Sequence, residues 1–291
     1  MMKTILMLIL MLVSVNFASC QNNKLNIVVI GAHPDDPDVV AGGTAIKFAK
    51  LGHKVLFVSL SNGDAGHFRL GGGVLAQVRA AEAQEAGKRF GVTYKVLSNH
   101  DGELQPDIHN RFQVIRLIRE WNADVVIGPR PYDYHPDHRN CAILVQDAAY
   151  MVIVPNIVPD TPPLKKNPVF LFVQDNFQKP VPFQPDIAVD ISDIYKQKFY
   201  AVAAHKSQFF EWGPWLDGKL DKVPQDENKR VEWLINEWRE EINPAVRKSL
   251  IKWYGKDKAE KMTDAEAFEI CEYGRYPTDE EIRQLFPMIG R

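Results

Sequence analysis

Three observations in the sequence predict a doubly wound α/β fold with a mostly parallel sheet and a helical C-terminal extension. Short runs of branched apolar residues alternate with longer stretches whose apolar residues recur at helical spacing. Glycines punctuate these runs, at Gly31, Gly52 and Gly91 among others. Two turns rich in histidine and aspartate follow directly on two of the strand-like runs. Strands separated by helices of this length make βαβ units with right-handed crossovers, which build a parallel sheet covered on both faces.

Taken in order, Leu25 to Ile30 is a short apolar run before Gly31 and reads as a buried strand. Ala41 to Leu51 has helical spacing and stops at Gly52, a natural terminator. Lys54 to Leu60 is the second strand, and Val74 to Phe90 a long helix that ends at Gly91. Tyr94 to Leu97, Ile108 to Trp121, Asp124 to Ile127 and Arg139 to Met151 continue as strand, helix, strand and helix. After a proline-rich loop from Pro155 to Pro168, strands are expected at Val169 to Val173 and Ile187 to Ile191. A helix from Asp193 to Phe209 then closes a Rossmann-like domain spanning residues 24–210. From Glu211 the chain turns rich in tryptophan and charge, with helical patterns at Val231 to Ile242 and Ala265 to Cys271. Residues 211–291 are therefore expected to form a helical extension packed on the domain.

Composition excludes some partners. A formal net charge of −2 without a basic run leaves no electrostatic footprint for nucleic acid. The one strongly apolar run is N-terminal and shorter than the roughly 20 residues that span a bilayer. Lys3, the apolar stretch Ile5 to Val13 and the small-residue close at Phe17-Ala18-Ser19-Cys20 have the layout of a secretory signal over residues 1–19. Cys20 stands where a lipid-modified cysteine would follow cleavage, with Gln21-Asn22-Asn23 as a polar tether. The expectation is an exported periplasmic or cell-envelope lipoprotein, touching the membrane only through that anchor. Cys141 and Cys271 are too few and too far apart for a disulfide framework and read as core thiols.

The chemistry lies in two clusters. Gly31-Ala32-His33-Pro34-Asp35-Asp36 follows the first strand, and Asp133-Tyr134-His135-Pro136-Asp137-His138 follows the fourth. Open α/β sheets bind ligands at the carboxyl ends of their strands. With strand order 3-2-1-4, strands one and four are neighbours and the clusters face each other across one crevice. Imidazoles and a carboxylate are good zinc ligands, and a catalytic zinc keeps three protein ligands plus a water. His33 and Asp36 can reach one ion from a turn braced by Pro34, and His138 supplies the third ligand from the opposite loop. Asp35 then remains as general base for the metal-bound water. His135, as an imidazolium, would stabilise the oxyanion and protonate the leaving amine, held charged by Asp137. A dinucleotide site fails here, because the G-x-G-x-x-G spacing is missing and Asp35 and Asp36 would repel a pyrophosphate.

Ala-His-Pro-Asp-Asp at Ala32 to Asp36, joined to His-Pro-Asp-His at His135 to His138, resembles the PIG-L/LmbE-like deacetylase family. Asn62-Gly63-Asp64-Ala65-Gly66, Arg79 with Glu82, Asp101-Gly102 and His205-Lys206-Ser207-Gln208 extend the likeness over most of the chain. The resemblance implies a zinc enzyme that removes an N-acyl group, most simply acetyl, from an amino sugar or glycoconjugate. It implies the same roles for His33, Asp36, His138, Asp35, His135 and Asp137. Pro37 departs from the family pattern, where many members have an acidic residue, but removes no ligand.

Further candidates are weaker. Asp64 and Asp101 end loops on the crevice side, where carboxylates could bind sugar hydroxyls, and Arg79 joins them as a residue of the substrate side. The family match favours a buried Arg79–Glu82 pair that props the loops, over a plain surface pair. His205 either lines the crevice or is structural, and Trp212 and Trp215 are a sugar-stacking lid or packing for the extension. The motifs do not separate a sugar deacetylase from an amidase acting on a thiol–sugar conjugate or another acylated amine. A catalytically dead glycan-binding lipoprotein is disfavoured, since degenerate relatives lose a ligand or the base and here every one is present.

Overall fold

The computed structural model describes residues 24–290. The expected signal over residues 1–19 and the Cys20 anchor lie outside the described residues. One sheet of seven strands organises the molecule: β1 (Asn26–Gly31), β2 (Lys54–Ser61), β3 (Thr93–Asn99), β4 (Val125–Gly128), β5 (Val169–Val173), β6 (Ile187–Asp190) and β7 (Ala265–Cys271). Their order is β3-β2-β1-β4-β5-β7-β6, so the expected 3-2-1-4 arrangement holds. The strands β1 to β5 run parallel, whereas β7 pairs antiparallel with both β5 and β6.

Each central strand feeds two cores, which is why it reads as a continuous apolar run. From β1, Ile27 and Val29 enter one cluster while Val28 and Ile30 enter the other. The first face is covered by α1 (Asp36–Lys50), α2 (Gly72–Phe90) and α5 (Tyr195–Val202). The second is covered by α3 (Ile108–Glu120) and α4 (Pro136–Met151). Beyond them come the short α6 (Gly213–Leu216), then α7 (Glu227–Trp238), α8 (Pro244–Tyr254), α9 (Lys256–Ala259) and α10 (Asp279–Leu285). Leu234 of α7 and Ile282 of α10 join the first core, and α8 packs Val246 and Leu250 on Ala188 and Ala267 of the β6–β7 edge. Among the described residues no helix is long and apolar enough to cross a membrane.

Three local expectations change. Ala265 to Cys271, expected as helix, is the strand β7, flanked by β5 and β6. Alanine and glutamate favour helix locally, but pairing on both edges and burial of Ala267, Phe268 and Cys271 override that preference. The helix expected over Asp193 to Phe209 is α5 followed by a separate π-turn at Gln208–Trp212. Helices α1 and α4 start earlier than expected, at Asp36 and Pro136, because Pro37 and Pro136 sit in first-turn positions that need no N–H partner. Both histidine–aspartate clusters are thereby placed where a central strand turns into a helix.

Candidate functional site

The first cluster is a tight strand-to-helix turn. A Cβ on Gly31 would come 2.5 Å from Asp36 Cβ, so only glycine lets the chain fold back this closely. Asp36 Oδ2 accepts hydrogen bonds from the N–H groups of Ala32 and His33, both at 2.8 Å. The second cluster starts α4: Asp133 accepts from His135 N at 2.8 Å, and His135 Nδ1 caps the helix by accepting from Asp137 N at 3.1 Å. Because β1 and β4 are direct neighbours, the two turns meet.

Three atoms converge there. His33 Nδ1 lies 3.1 Å from His138 Nε2, and Asp36 Oδ2 lies 3.6 Å and 3.5 Å from these two nitrogens. Ligand atoms about 2.0–2.1 Å from a tetrahedral zinc stand roughly 3.3 Å apart, so this separation fits one ion. The outward ring nitrogens face carboxylates. His33 Nε2 is 3.0 Å from Asp101 Oδ1 and 3.5 Å from Asp137 Oδ2, although its N–H lines up squarely with neither. His138 Nδ1 is 3.0 Å from Asp133 Oδ1. In the neutral rings the proton therefore belongs on the outward nitrogen, which turns the inward lone pairs towards one another and Asp36. Neutral rings would offer these lone pairs to a cation, and a proton on one inward nitrogen can instead bridge the 3.1 Å contact.

The charges agree. At His33 burial works against protonation, but Asp101, Asp137 and Asp36 outweigh it and raise the pKa well above the usual imidazole value. At His138 burial is likewise overcome, by Asp36 and Asp133. Burial also opposes ionisation of Asp36, yet the charges of His138 and His33 hold it well below the usual carboxylate range. Asp35 differs: burial, followed by repulsion from Asp36, pushes it up to about 6. Its carboxylate makes no hydrogen bond to any described residue, and neither oxygen is sealed away. His33, His135 and His138 also bring one ring nitrogen each within 4.8 Å of one another, so His135 borders the same space.

The structure corrects the expected partnership of His135 and Asp137. Asp137 is fully buried, accepts from Gly102 N at 2.7 Å and Leu104 N at 3.2 Å, and faces the ring of His33 instead. His135 spends Nδ1 as a helix cap and so carries its proton on Nε2. Burial and the neighbouring charges of His33 and His138 lower its pKa, so the ring is neutral rather than an imidazolium.

The three expected substrate residues hold loops. Asp101 touches His33 as described. Asp64 accepts from Asp101 N at 3.0 Å and pairs with His100 Nδ1 at 2.6 Å, which ties the loop after β2 to the loop after β3. Arg79 is buried and donates to Gly66 O at 2.8 Å. It does not pair with Glu82, which instead accepts from Ser207 N at 2.8 Å and Ser207 Oγ at 2.6 Å. His205 does not line the crevice: it is fully buried, 2.9 Å from Asp38 Oδ1, while Tyr94 donates to Asp38 Oδ2 at 2.7 Å. Trp212 and Trp215 belong to no core cluster among the described residues. They stack on each other with centroids 5.3 Å apart, and Trp215 stacks on Phe68 at 5.2 Å. A Cβ on Gly66 would lie 3.5 Å from Trp212 Nε1 and 3.3 Å from Asp101 Oδ2, so this aromatic row begins at the crevice.

Sequence reasoning missed Asp133 and Tyr134. Asp133 had a signal, since an aspartate two residues before a helix cap commonly turns the chain. Tyr134 is 76% exposed with its ring 5.9 Å and 5.7 Å from the rings of His135 and His138, and exposure of a tyrosine is not written in a turn sequence.

Comparison with known proteins points the same way. Residues 28–149, from β1 into α4, match the family model PIG-L, GlcNAc-PI de-N-acetylase. The diacetylchitobiose deacetylase of Thermococcus kodakarensis is 29% identical over 210 residues, covering 67% of this chain and 76% of that protein. The 4-oxalmesaconate hydratase of Pseudomonas putida is 25% identical over 195 residues, covering 64% of this chain and 74% of its own. Among solved structures, the N,N'-diacetylchitobiose deacetylase of Pyrococcus horikoshii superposes with a TM-score of 0.63 at 24% identity over 88% of each chain. That likeness bears on the fold.

Proposed function

Starting from a chain that belongs to the PIG-L/LmbE-like deacetylase family, we propose that it is a zinc-dependent hydrolase that removes an N-acetyl group from an amino sugar or glycoconjugate. The observation that carries this reading is the convergence of His33 Nδ1, His138 Nε2 and Asp36 Oδ2 at 3.1–3.6 Å, with the proton of each ring drawn outward by Asp101, Asp137 and Asp133. His33, Asp36 and His138 would hold the ion. Zinc there would polarise the amide carbonyl and lower the pKa of a water from about 15.7 towards 7.

The protein's own residues supply the rest. Asp35, which makes no hydrogen bond to a described residue and is raised to about 6, takes the proton of the attacking water. Neutral His135 offers Nε2–H to the carbonyl oxygen as negative charge grows on it. Once the tetrahedral carbon has formed, Asp35 is the acid that passes the proton to the departing nitrogen. Amide and water then balance as amine and acetic acid, which ionise to ammonium and acetate, the proton on nitrogen being the one Asp35 took from the water. The row Trp212, Trp215 and Phe68 flanks the opening with apolar faces suited to the C–H side of a pyranose.

The test is metal content together with acetate release from a panel that contains diacetylchitobiose, N-acetylglucosamine and acylated amines lacking a sugar. One bound zinc per chain and acetate release from sugars support the reading. Release only from non-sugar amides points to the amidase alternative, and zinc binding without acetate release points to other chemistry such as the hydration performed by the Pseudomonas putida relative. We also propose export with lipidation at Cys20. Cys20→Ser would then move the protein from the membrane fraction to the soluble one, and a wild-type protein already soluble would overturn that assignment.

A further inference from the structure

Helix α1, which delivers Asp36, is gripped by a buried ion pair from two distant elements. Glu266 of β7 and Lys198 of α5 are only 5% and 6% exposed, and Lys198 Nζ lies 2.8 Å from Glu266 Oε1. Glu266 accepts from Gly43 N at 2.8 Å and Thr44 N at 2.7 Å, while Lys198 donates to Val39 O at 2.6 Å. In an α-helix the N–H of Gly43 belongs to the C=O of Val39. The ion pair thus engages both ends of one helical rung.

The sequence of α1 is fitted to these contacts. A Cβ on Gly43 would come 3.1 Å from Glu266 Oε1 and 2.8 Å from Ile191 Cγ2. On Gly42 it would come 2.6 Å from Phe90 Cε1. Two adjacent glycines let three elements close on the helix here. Upstream of this point stands the first turn with Asp36, immediately preceded by Asp35; downstream runs the helix body on the sheet.

As a stabilising device the arrangement is poor. Well-packed apolar residues often replace a buried ion pair without loss. What the pair does achieve is placement: Lys198 draws on the first turn and Glu266 on the body. A cavity of about 210 Å³ bordered by Val39, Val40, Lys198 and Glu266 leaves the turn room to move if the pair is removed.

We propose that Lys198 and Glu266 are positioning residues for the metal centre, setting Asp35 and Asp36 against His138. This rests on the reading of His33, Asp36 and His138 as zinc ligands. Three variants, with Asp193→Ala as control for an exposed pair to Lys47 of the same helix, test it. The double variant Lys198→Met/Glu266→Met removes both charges and their contacts to the helix. Glu266→Asp keeps the charge but shortens its reach. Glu266→Gln leaves Lys198 unpaired and should lose thermal stability.

The double and Glu266→Asp variants are expected to melt within a few degrees of wild type, yet to bind zinc roughly 10- to 100-fold more weakly in chelator competition. With zinc saturating, kcat on diacetylchitobiose should fall while KM stays near wild type, and the control should change neither. If Glu266→Asp matches wild type in zinc affinity and kcat, or the double variant regains both along with its stability, the pair is structural only and the proposal fails. Wild-type protein that takes up no zinc would instead overturn the metal-centre reading beneath it.

Discussion

Two helices bring the site together, and they do so by different means. The start of α4 is held from within its own turn and the adjoining loop. His135 caps the helix, Pro136 opens it, Asp133 holds both His135 N and the ring of His138, and buried Asp137 anchors the loop after β3. The start of α1 has no side-chain cap, and its helix is engaged near Gly43 by residues far along the chain, Lys198 and Glu266. Both halves have local turn bonds, Asp36 to Ala32 and His33 N–H on the α1 side, but among the described residues only the α1 helix is also gripped by a buried ion pair from distant elements. Substitutions near the motif should disturb the α4 half, whereas the α1 half answers also to distant ones.

The largest expected effect erases this contrast. Asp36→Ala and His138→Ala each remove one ligand, one from each half, and both should abolish stoichiometric zinc and acetate release. A variant that retained one zinc per chain, by elemental analysis, would strike its residue from the ligand set. A smaller effect sharpens the comparison. Asp133→Asn on the α4 side and Asp101→Asn beside His33 should each weaken zinc binding roughly 10- to 100-fold in chelator competition, because each frees the ring it holds. Unchanged affinity in Asp133→Asn would mean that the α4 half is not locally set.

Protonation supplies a subtler test. Before zinc binds, carboxylates raise the pKa of His33 and His138 despite burial. A raised pKa keeps the ring protonated to higher pH, and zinc needs the neutral ring. Binding must then expel protons at neutral pH, and affinity must rise as pH climbs through and beyond the usual imidazole range. Titration calorimetry in buffers of different ionisation enthalpy measures this. Equal apparent heats in all buffers would contradict it. The smallest effect is expected at the rim, where Trp215→Ala should raise KM for diacetylchitobiose about fivefold with kcat nearly unchanged.

How far the sequence reveals these features follows the same division. The strand order around β1 and β4, and the meeting of the two motifs, are legible because apolar runs and turn residues are local signals. The strand β7 is not, since Ala265 to Cys271 has the local character of a helix and becomes a strand only between β5 and β6. Glu266 lies on that strand, so its grip on Gly43 is equally invisible in the sequence. Asp64, Arg79 and Asp101 are recognisable as residues of the site's surroundings. That they also hold loops and a ring depends on side-chain direction. The neutral state of His135 depends on which ring nitrogen caps α4, a choice that composition does not record.

The central claim is that a zinc held by His33, Asp36 and His138 works with Asp35 as base to cleave an N-acetyl group. Asp35→Asn tests it most directly, because Asp35 accepts no hydrogen bond from a described residue and its replacement leaves the converging ligand atoms alone. Zinc content and acetate release from diacetylchitobiose are measured on the same zinc-loaded samples of wild type and variant. The account predicts equal zinc in both and acetate release at least about 100-fold slower in the variant. Zinc-replete Asp35→Asn that releases acetate at the wild-type rate would contradict it.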